Sequence, residues 1–282
     1  MMRHECYLCH RKTIEKLLAK FRPEPEVADR FIKSVHKILD DNTFGENPYL
    51  SAEIHRIARK SLNHTDLFKK EKKEANDTLL ELYPYWQDII HRNGNPLYTA
   101  AKLAVIGNII DYGAHTVGDD IVGQVKSFLS QDLKIDETVD LFREAEKAES
   151  ILYIGDNAGE IVFDKLFIET LGPNKITYAV RGTPVINDVT EEDARQCGLD
   201  KTCRVISNGN DAPSTLLDLC SNEFLEAFDK ADLIISKGQG NFEGLMGNSH
   251  PDLFFLLIAK CNPVANVLGV NPGDMVITRL KN

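Results

Sequence analysis

Through the first half of the chain, apolar residues recur every three or four positions, in Thr13–Phe21, Glu26–Leu39, Pro48–Asn63, Leu67–Trp86 and Leu97–Tyr112. That spacing predicts amphipathic helices from residue 12 to about residue 135. The charged run in LFKKEKKEANDTLLELYPYW reads as the solvated face of one of them. From about residue 148 the pattern changes to short, β-branched apolar runs: SILYIG (150–155), KITYAV (175–180), CRVIS (203–207) and DLIISKG (232–238). A helical or loop stretch separates each from the next, and strands alternating with helices predict a mostly parallel sheet. DLFFLLIAK (252–260) and DMVITRL (274–280) add two further strands. The expected fold class is α/β, with a helical N-terminal region (1–147) packed on a Rossmann-like, mostly parallel sheet domain (148–282). No internal repeat or low-complexity linker interrupts this pattern.

Composition narrows the partners more than the fold. The 282 residues are 43% hydrophobic and 27% charged, ordinary for a globular protein, with a formal charge of −10. Such a charge disfavours nucleic acid but leaves room for a small anion at a local positive site. The N-terminal MMRHECYLCHRK has no apolar signal region, and no run of about 18 apolar residues predicts a membrane span. Six sparse, irregularly spaced cysteines suggest a reduced, cytoplasmic setting.

In open α/β sheets ligands bind beyond the carboxyl ends of the strands, so the polar residues there are the candidates for chemistry. The first predicted strand ends in GDNAGE with Asp156 and Asn157, and the second leads through AVRGTPVIND to Asn187 and Asp188. The third leads into SNGNDAPST with Asn208, Asn210 and Asp211, and the fourth ends at Lys237 in SKGQGN. Asp and Asn oxygens suit hard cations, whereas a lysine with helix N-terminal N–H groups suits a phosphate. A bland reading competes at each position. Asn157 with Glu160 fits a capping box, and Asp188 before VTEEDA fits a helix cap. Repetition across several strands is what favours a ligand site, because one cap accounts for one strand only. GDNAGE lacks the G-x-G spacing of a methyltransferase or dinucleotide loop. Ala158 stands where an aspartyl-phosphate enzyme would need a second aspartate, which leaves metal-assisted attack by water.

GDNAGE, TPVINDVT, LAVIGNIIDYG and SKGQGNFEGL, in that set, resemble the metal-dependent damage-control phosphatase family, also catalogued as domain of unknown function 89. The N-terminal CYLC resembles its prokaryotic, cysteine-pair-bearing branch. The resemblance implies a helical region on a Rossmann-like core and hydrolysis of small phosphorylated metabolites such as sugar phosphates. It implies one divalent cation (Mn²⁺, Co²⁺, Ni²⁺ or Mg²⁺) on Asp156, Asn157 and Asp188, and a phosphate-contacting Lys237. Asn108 and Asp111 match a helix bordering the site, and three-residue spacing puts both on one face. The mechanism expected from these motifs gives Lys237 and the N–H groups around Ala158–Glu160 the phosphoryl oxygens. Gly159, Glu160, Asn108 and Asn210 border the substrate, and Asp111 or Asp156 orients the attacking water.

Cys6 and Cys9, flanked by His4 and His10, are half of a metal site for Zn²⁺ or Fe, completed by His4, His10 or Cys261, or else plain reduced thiols. Three other functions compete: an S-adenosylmethionine-dependent carboxyl methyltransferase, a non-catalytic metal- or phosphometabolite-binding protein, and a thiol or zinc module centred on Cys6 and Cys9.

Overall fold

The computed structural model describes residues 4–41, 47–107 and 120–279. The chain opens with α1 (His4–Phe21), α2 (Pro25–Asp41), α3 (Asn47–Leu62), α4 (Lys69–Glu81), α5 (Tyr83–Arg92), α6 (Pro96–Ile106) and α7 (Ile121–Leu129). A short strand β1 (Ile135–Asp136) and α8 (Thr138–Lys147) lead to β2 (Ile151–Ile154) and α9 (Glu160–Leu171). Then come β3 (Ile176–Val180), α10 (Glu191–Gln196), β4 (Arg204–Ser207), α11 (Asn222–Lys230) and β5 (Leu233–Lys237). The chain closes with α12 (Gly238–Leu245), β6 (Leu253–Ile258), α13 (Asn262–Leu268) and β7 (Met275–Arg279).

All six strands expected from the apolar runs form, and the sheet order is β1-β7-β6-β5-β2-β3-β4. Every pair is parallel except β6–β7. The seventh strand, β1, spans only two residues, too few to leave a period-two signal. The single helix expected over Leu67–Trp86 is two helices broken at Leu82. Pro84 lies in the first turn of α5, where its missing N–H costs nothing and its ring ends the preceding helix.

Side chains alternate across the sheet as the pleat requires. Ile151, Tyr153, Leu233, Ile235, Phe254 and Leu256 face one core with Trp86 and the apolar faces of α6 and α9. Leu152, Ile154, Ile234, Phe255 and Leu257 face the other, against Phe224, Phe242 and Val264 from α11, α12 and α13. Packing crosses residue 148: Leu79, Trp86 and residues of α6 belong to the sheet's own core, and Ile135 of β1 pairs with Val276 of β7. A separate core joins α1, α2 and α3 through Leu17, Phe31, Val35 and Ile54. The change of element type near residue 148 is therefore not a break in packing. None of the helices among the described residues is long and apolar enough to cross a membrane.

Candidate active site

β2 is flanked by β3 on one side and β5 on the other, both parallel to it, so the chain reverses its winding there. That reversal opens a crevice at the carboxyl ends of the strands. Ile154 lies level with Ala179 and Ser236, so Asp156, Arg181 and Lys237 all emerge at the crevice. An open hollow of about 470 Å³ lies at the opposite, amino ends, beside Ser150, Thr177 and Arg204, and has no part in this chemistry.

Backbone hydrogen bonds lace two strand-end loops together. Asn157 and Asp188 form an antiparallel bridge. The Ala158 N–H donates to the Asn187 carbonyl at 2.9 Å, and the Val189 N–H to the Asp156 carbonyl at 2.8 Å. The three residues expected to hold a cation are thereby brought face to face. The lacing forces Ile186, a β-branched residue, to φ 45°, a strained conformation two positions before Asp188. Gly238 has φ 76°, and a Cβ there would lie 1.9 Å from Asp156 Oδ2, so only glycine lets α12 start against that carboxylate. The cap reading of Asp188 gives way to Thr190, whose capping box with Asp193 starts α10.

Charge at the crevice is out of balance. Asn157 Nδ2 donates to Asp156 Oδ2 at 2.8 Å and to Glu160 Oε2 at 3.1 Å. Arg181 Nε donates to Asp188 Oδ2 at 2.7 Å, while its Nη2 donates to Asn241 Oδ1 at 2.8 Å and lies 3.9 Å from Asp156 Oδ1. Lys237 Nζ donates to Glu160 Oε1 and, at 2.6 Å, to Asp164 Oδ1. Asp164 also accepts from Tyr153 Oη at 2.7 Å and Tyr178 Oη at 2.9 Å. All six charged residues are buried, so four carboxylates (Asp156, Glu160, Asp164, Asp188) face two cations (Arg181, Lys237). Lys260 and Lys72 add weaker positive influences at Asp156 and Asp188. Burial, then Glu160 and Asp188, pushes the Asp156 carboxyl up to about 7. Burial lifts Asp164 to about 6 against the pull of Lys237, and it lifts Asp188 despite Arg181.

This donor set, carboxylate and amide oxygens in an acid-rich crevice, fits a divalent cation. Among the described residues no three His, Cys, Asp or Glu side chains stand ready as a finished ligand cage. Asn157 offers its amide nitrogen to Asp156 and Glu160, and Arg181 holds Asp188. A cation needs the amide oxygen, which a half-turn of that side chain supplies.

The chain matches the damage-control phosphatase ARMT1-like domain over residues 2–276. It belongs to that family. It is 35% identical to a damage-control phosphatase of Pyrococcus horikoshii, over 99% of this chain and 98% of that one. A damage-control phosphatase of Archaeoglobus fulgidus is 36% identical over 85% of each chain. The crystal structure of a DUF89 family protein from Pyrococcus horikoshii superposes with a TM-score of 0.86 at 34% identity, covering 99% of both chains.

In this family member several residues expected to touch substrate are turned to protein partners. Lys237 is wholly buried between Glu160 and Asp164, because two carboxylates in the interior demand a cation there. Those carboxylates outweigh burial and raise the Lys237 pKa, so it stays charged. Glu160 is itself buried and shared between Asn157 and Lys237. The Gly159 N–H donates to Asn76 Oδ1 of α4 at 2.6 Å, and the Ala158 N–H is bonded to Asn187, so neither is aimed at a ligand. Asn210 shapes its own loop, its Oδ1 accepting the Ala212 N–H at 3.1 Å and its Nδ2 donating to Cys220 Sγ at 3.3 Å. Asn108 and Asp111 lie outside the described residues; Gly107, just before them, abuts Glu160, where a Cβ would lie 3.0 Å from Cγ. Cys6 and Cys9 sit on α1.

Four contributors escaped the sequence reading: Arg181, Asp164, Asn241 and Asn76. Two signals were present. Asp164 follows Glu160 by four residues in EIVFDKLFIETL, and buried acids on one helix face imply a buried cation. Asn241 follows Lys237 by four residues, and its amide bonds the Gly155 and Lys237 carbonyls at 3.1 and 2.7 Å.

The raised carboxyls give stability a pH dependence with a definite sign. A carboxyl whose folded pKa lies above its unfolded value stabilises the fold below the unfolded pKa, and that contribution is lost as pH rises through the folded pKa. For Asp156 and Asp164 the loss runs from about pH 4 to about pH 7. Metal-free protein is therefore expected to melt several degrees lower at about pH 8 than at about pH 5, and Mn²⁺ to restore more at the higher pH. Thermal scans at the two pH values, with and without Mn²⁺, measure this; a metal gain that is larger at low pH would refute it.

Proposed function

We propose that this protein is a metal-dependent phosphomonoesterase acting on small phosphorylated metabolites such as sugar phosphates. The observation that carries the reading is the bridge that sets Asp156, Asn157 and Asp188 face to face in a crevice where buried carboxylates gather. Carboxylates gathered in the interior favour a compensating cation. Asp156, Asn157 and Asp188 would hold one divalent ion of the Mn²⁺, Co²⁺, Ni²⁺ or Mg²⁺ class. When bound, it supplies charge neutralisation at the phosphoryl group and acidification of a water. The protein's own groups prepare the site. Asp156 would be deprotonated when holding the ion, Arg181 fixes the orientation of Asp188, and Lys237 keeps Glu160 and Asp164 from repelling phosphate. Orientation of the attacking water falls to Asp156 or to Asp111. The family membership and the names of its relatives support the same reaction class. A carboxyl methyltransferase finds less support, since the GDNAGE loop commits its Ala158 and Gly159 N–H groups to the protein and has no G-x-G turn.

The test is phosphate release from p-nitrophenyl phosphate and a panel of sugar phosphates. Metal-stripped protein is compared with protein given Mg²⁺, Mn²⁺, Co²⁺ or Ni²⁺. Release is expected only with metal. Saturable binding of sugar phosphates without release would instead make the protein a sensor.

A further inference from the structure

The cysteine motif has no part in the strand-end site, yet α1 does not carry it alone. Asn262 Nδ2, in the first turn of α13, donates to Glu5 Oε1 in the first turn of α1 at 3.1 Å. Glu5 and Cys9 are one helical turn apart and share a face. Asn262 directly follows Cys261, the residue that begins α13. The contact therefore brings the Cys9 and Cys261 thiols into one neighbourhood, and Cys9 is among the groups that raise the Cys261 pKa, behind burial as the main cause.

The surroundings hold this junction in place. Gln239 Nε2 donates to Cys261 Sγ at 3.3 Å and to Glu243 Oε1 at 3.0 Å. Asn47 Nδ2 donates to Glu243 Oε2 at 2.9 Å, and His10 Nε2 meets Asn47 Oδ1 at 2.9 Å. Elements α1, α3, α12 and α13 thus meet around Cys261. Cys9 is exposed and open to an oxidant, while Cys261 is half-buried behind it.

Competing pairings are less favourable. Cys6 and Cys9 are three residues apart on a continuous helix, which sets Cβ atoms about 5–6 Å apart, whereas a disulfide needs about 3.5–4.5 Å. Burial pushes the Cys197 and Cys203 thiols up to about 12 and Cys220 to about 11, which suppresses the reactive thiolate. A metal cage is disfavoured too. His10 is bonded to Asn47, and among the described residues no third His, Cys, Asp or Glu converges with the two thiols.

We propose that Cys9 and Cys261 form a reversible disulfide that ties α1 to the β6–α13 connection, with a peroxide as the oxidant. The Cys9 thiolate attacks one peroxide oxygen, the O–O bond breaks, and a sulfenic acid forms as the first water leaves. Cys261 sulfur then attacks Cys9 sulfur, the S–O bond breaks, and the second water leaves. Two thiols are oxidised to one disulfide and one peroxide is reduced to two waters. This bond encloses nearly the whole chain in its loop and should raise the melting temperature.

The experiment treats the folded, full-length protein with stoichiometric hydrogen peroxide. Free thiols are then alkylated and the protein is digested without reduction for peptide mass mapping. A Cys9–Cys261 linked peptide is expected that dithiothreitol removes. It should be absent from Cys9→Ser and from Cys261→Ser and retained in Cys6→Ser. The linked protein should melt higher by on the order of 5 °C. A Cys6–Cys9 link, a linked peptide that forms only in urea, or an unchanged melting temperature would overturn the proposal. So would Cys9 oxidised past the sulfenic acid with Cys261 still alkylatable. The mapping of unsubstituted protein decides the pairing even if a variant fails to fold.

Discussion

Asp156→Asn is expected to abolish metal-dependent phosphate release while leaving the metal-free protein at least as stable as the parent. The two halves of that result have one cause. Asparagine keeps the shape of the side chain beneath Gly238, where a Cβ would lie 1.9 Å from Asp156 Oδ2, so packing is preserved. It removes one of the four buried carboxylates of the cluster. Since burial, Glu160 and Asp188 already push Asp156 up to about 7, the neutral amide relieves repulsion. The same change removes a charged ligand. A bound cation contributes several kcal/mol to transition-state stabilisation, and about 4 kcal/mol corresponds to a 10³-fold loss of rate. Thermal scans with and without Mn²⁺, alongside the p-nitrophenyl phosphate rate, read both halves together. A variant that melts well below the parent without metal, yet still gains stability from Mn²⁺, would show that Asp156 is a structural residue.

Lys237→Met is expected to give the largest stability loss of any single substitution at the crevice. Methionine fills the volume of the lysine stem but strands Glu160 and Asp164 in the interior, where Lys237 is the cation bonded to both. Removing one partner of a buried ion pair typically costs about 3–5 kcal/mol, because the remaining charge has no compensation. Denaturant unfolding of metal-free protein measures it. A lysine whose task is to contact phosphate predicts the opposite pattern, with normal stability and a lost rate. Adding Asp164→Leu should return part of the stability, since the second substitution removes a stranded acid.

The strands were legible because each is a short, uninterrupted β-branched run, and buried parallel strands need little else. The strand-end rule gathered the polar residues and the family resemblance chose Asp156, Asn157 and Asp188 among them; the crevice sets these three side by side. What the sequence hid is pairing between distant segments. Lys237 after a strand reads as a phosphate ligand, and nothing near it in the sequence announces its pairing with Glu160 and Asp164 on α9. Gly159 at a helix start looks like an anion site until Asn76 on α4 takes its N–H. Arg181 sits inside a quoted motif, but only the bridge between two loops turns it onto Asp188. The break between α4 and α5 was readable from Pro84 and was overridden by a long apolar periodicity.

The grip of the early helices on the strand-end loops bears on how such a protein can be inherited or cut down. Asn76 of α4 bonds the Gly159 N–H, Lys72 pairs with Asp193 at 2.9 Å, and Arg59 of α3 reaches both Asp211 at 2.7 Å and the Pro184 carbonyl at 2.8 Å. A fragment beginning at β2 would keep Asp156, Asn157 and Asp188 but lose the side chains that hold their loops in register. The sheet half is therefore not a portable catalytic module. Recombination that exchanged the helical half for another would have to bring matching amide, ammonium and guanidinium groups with it.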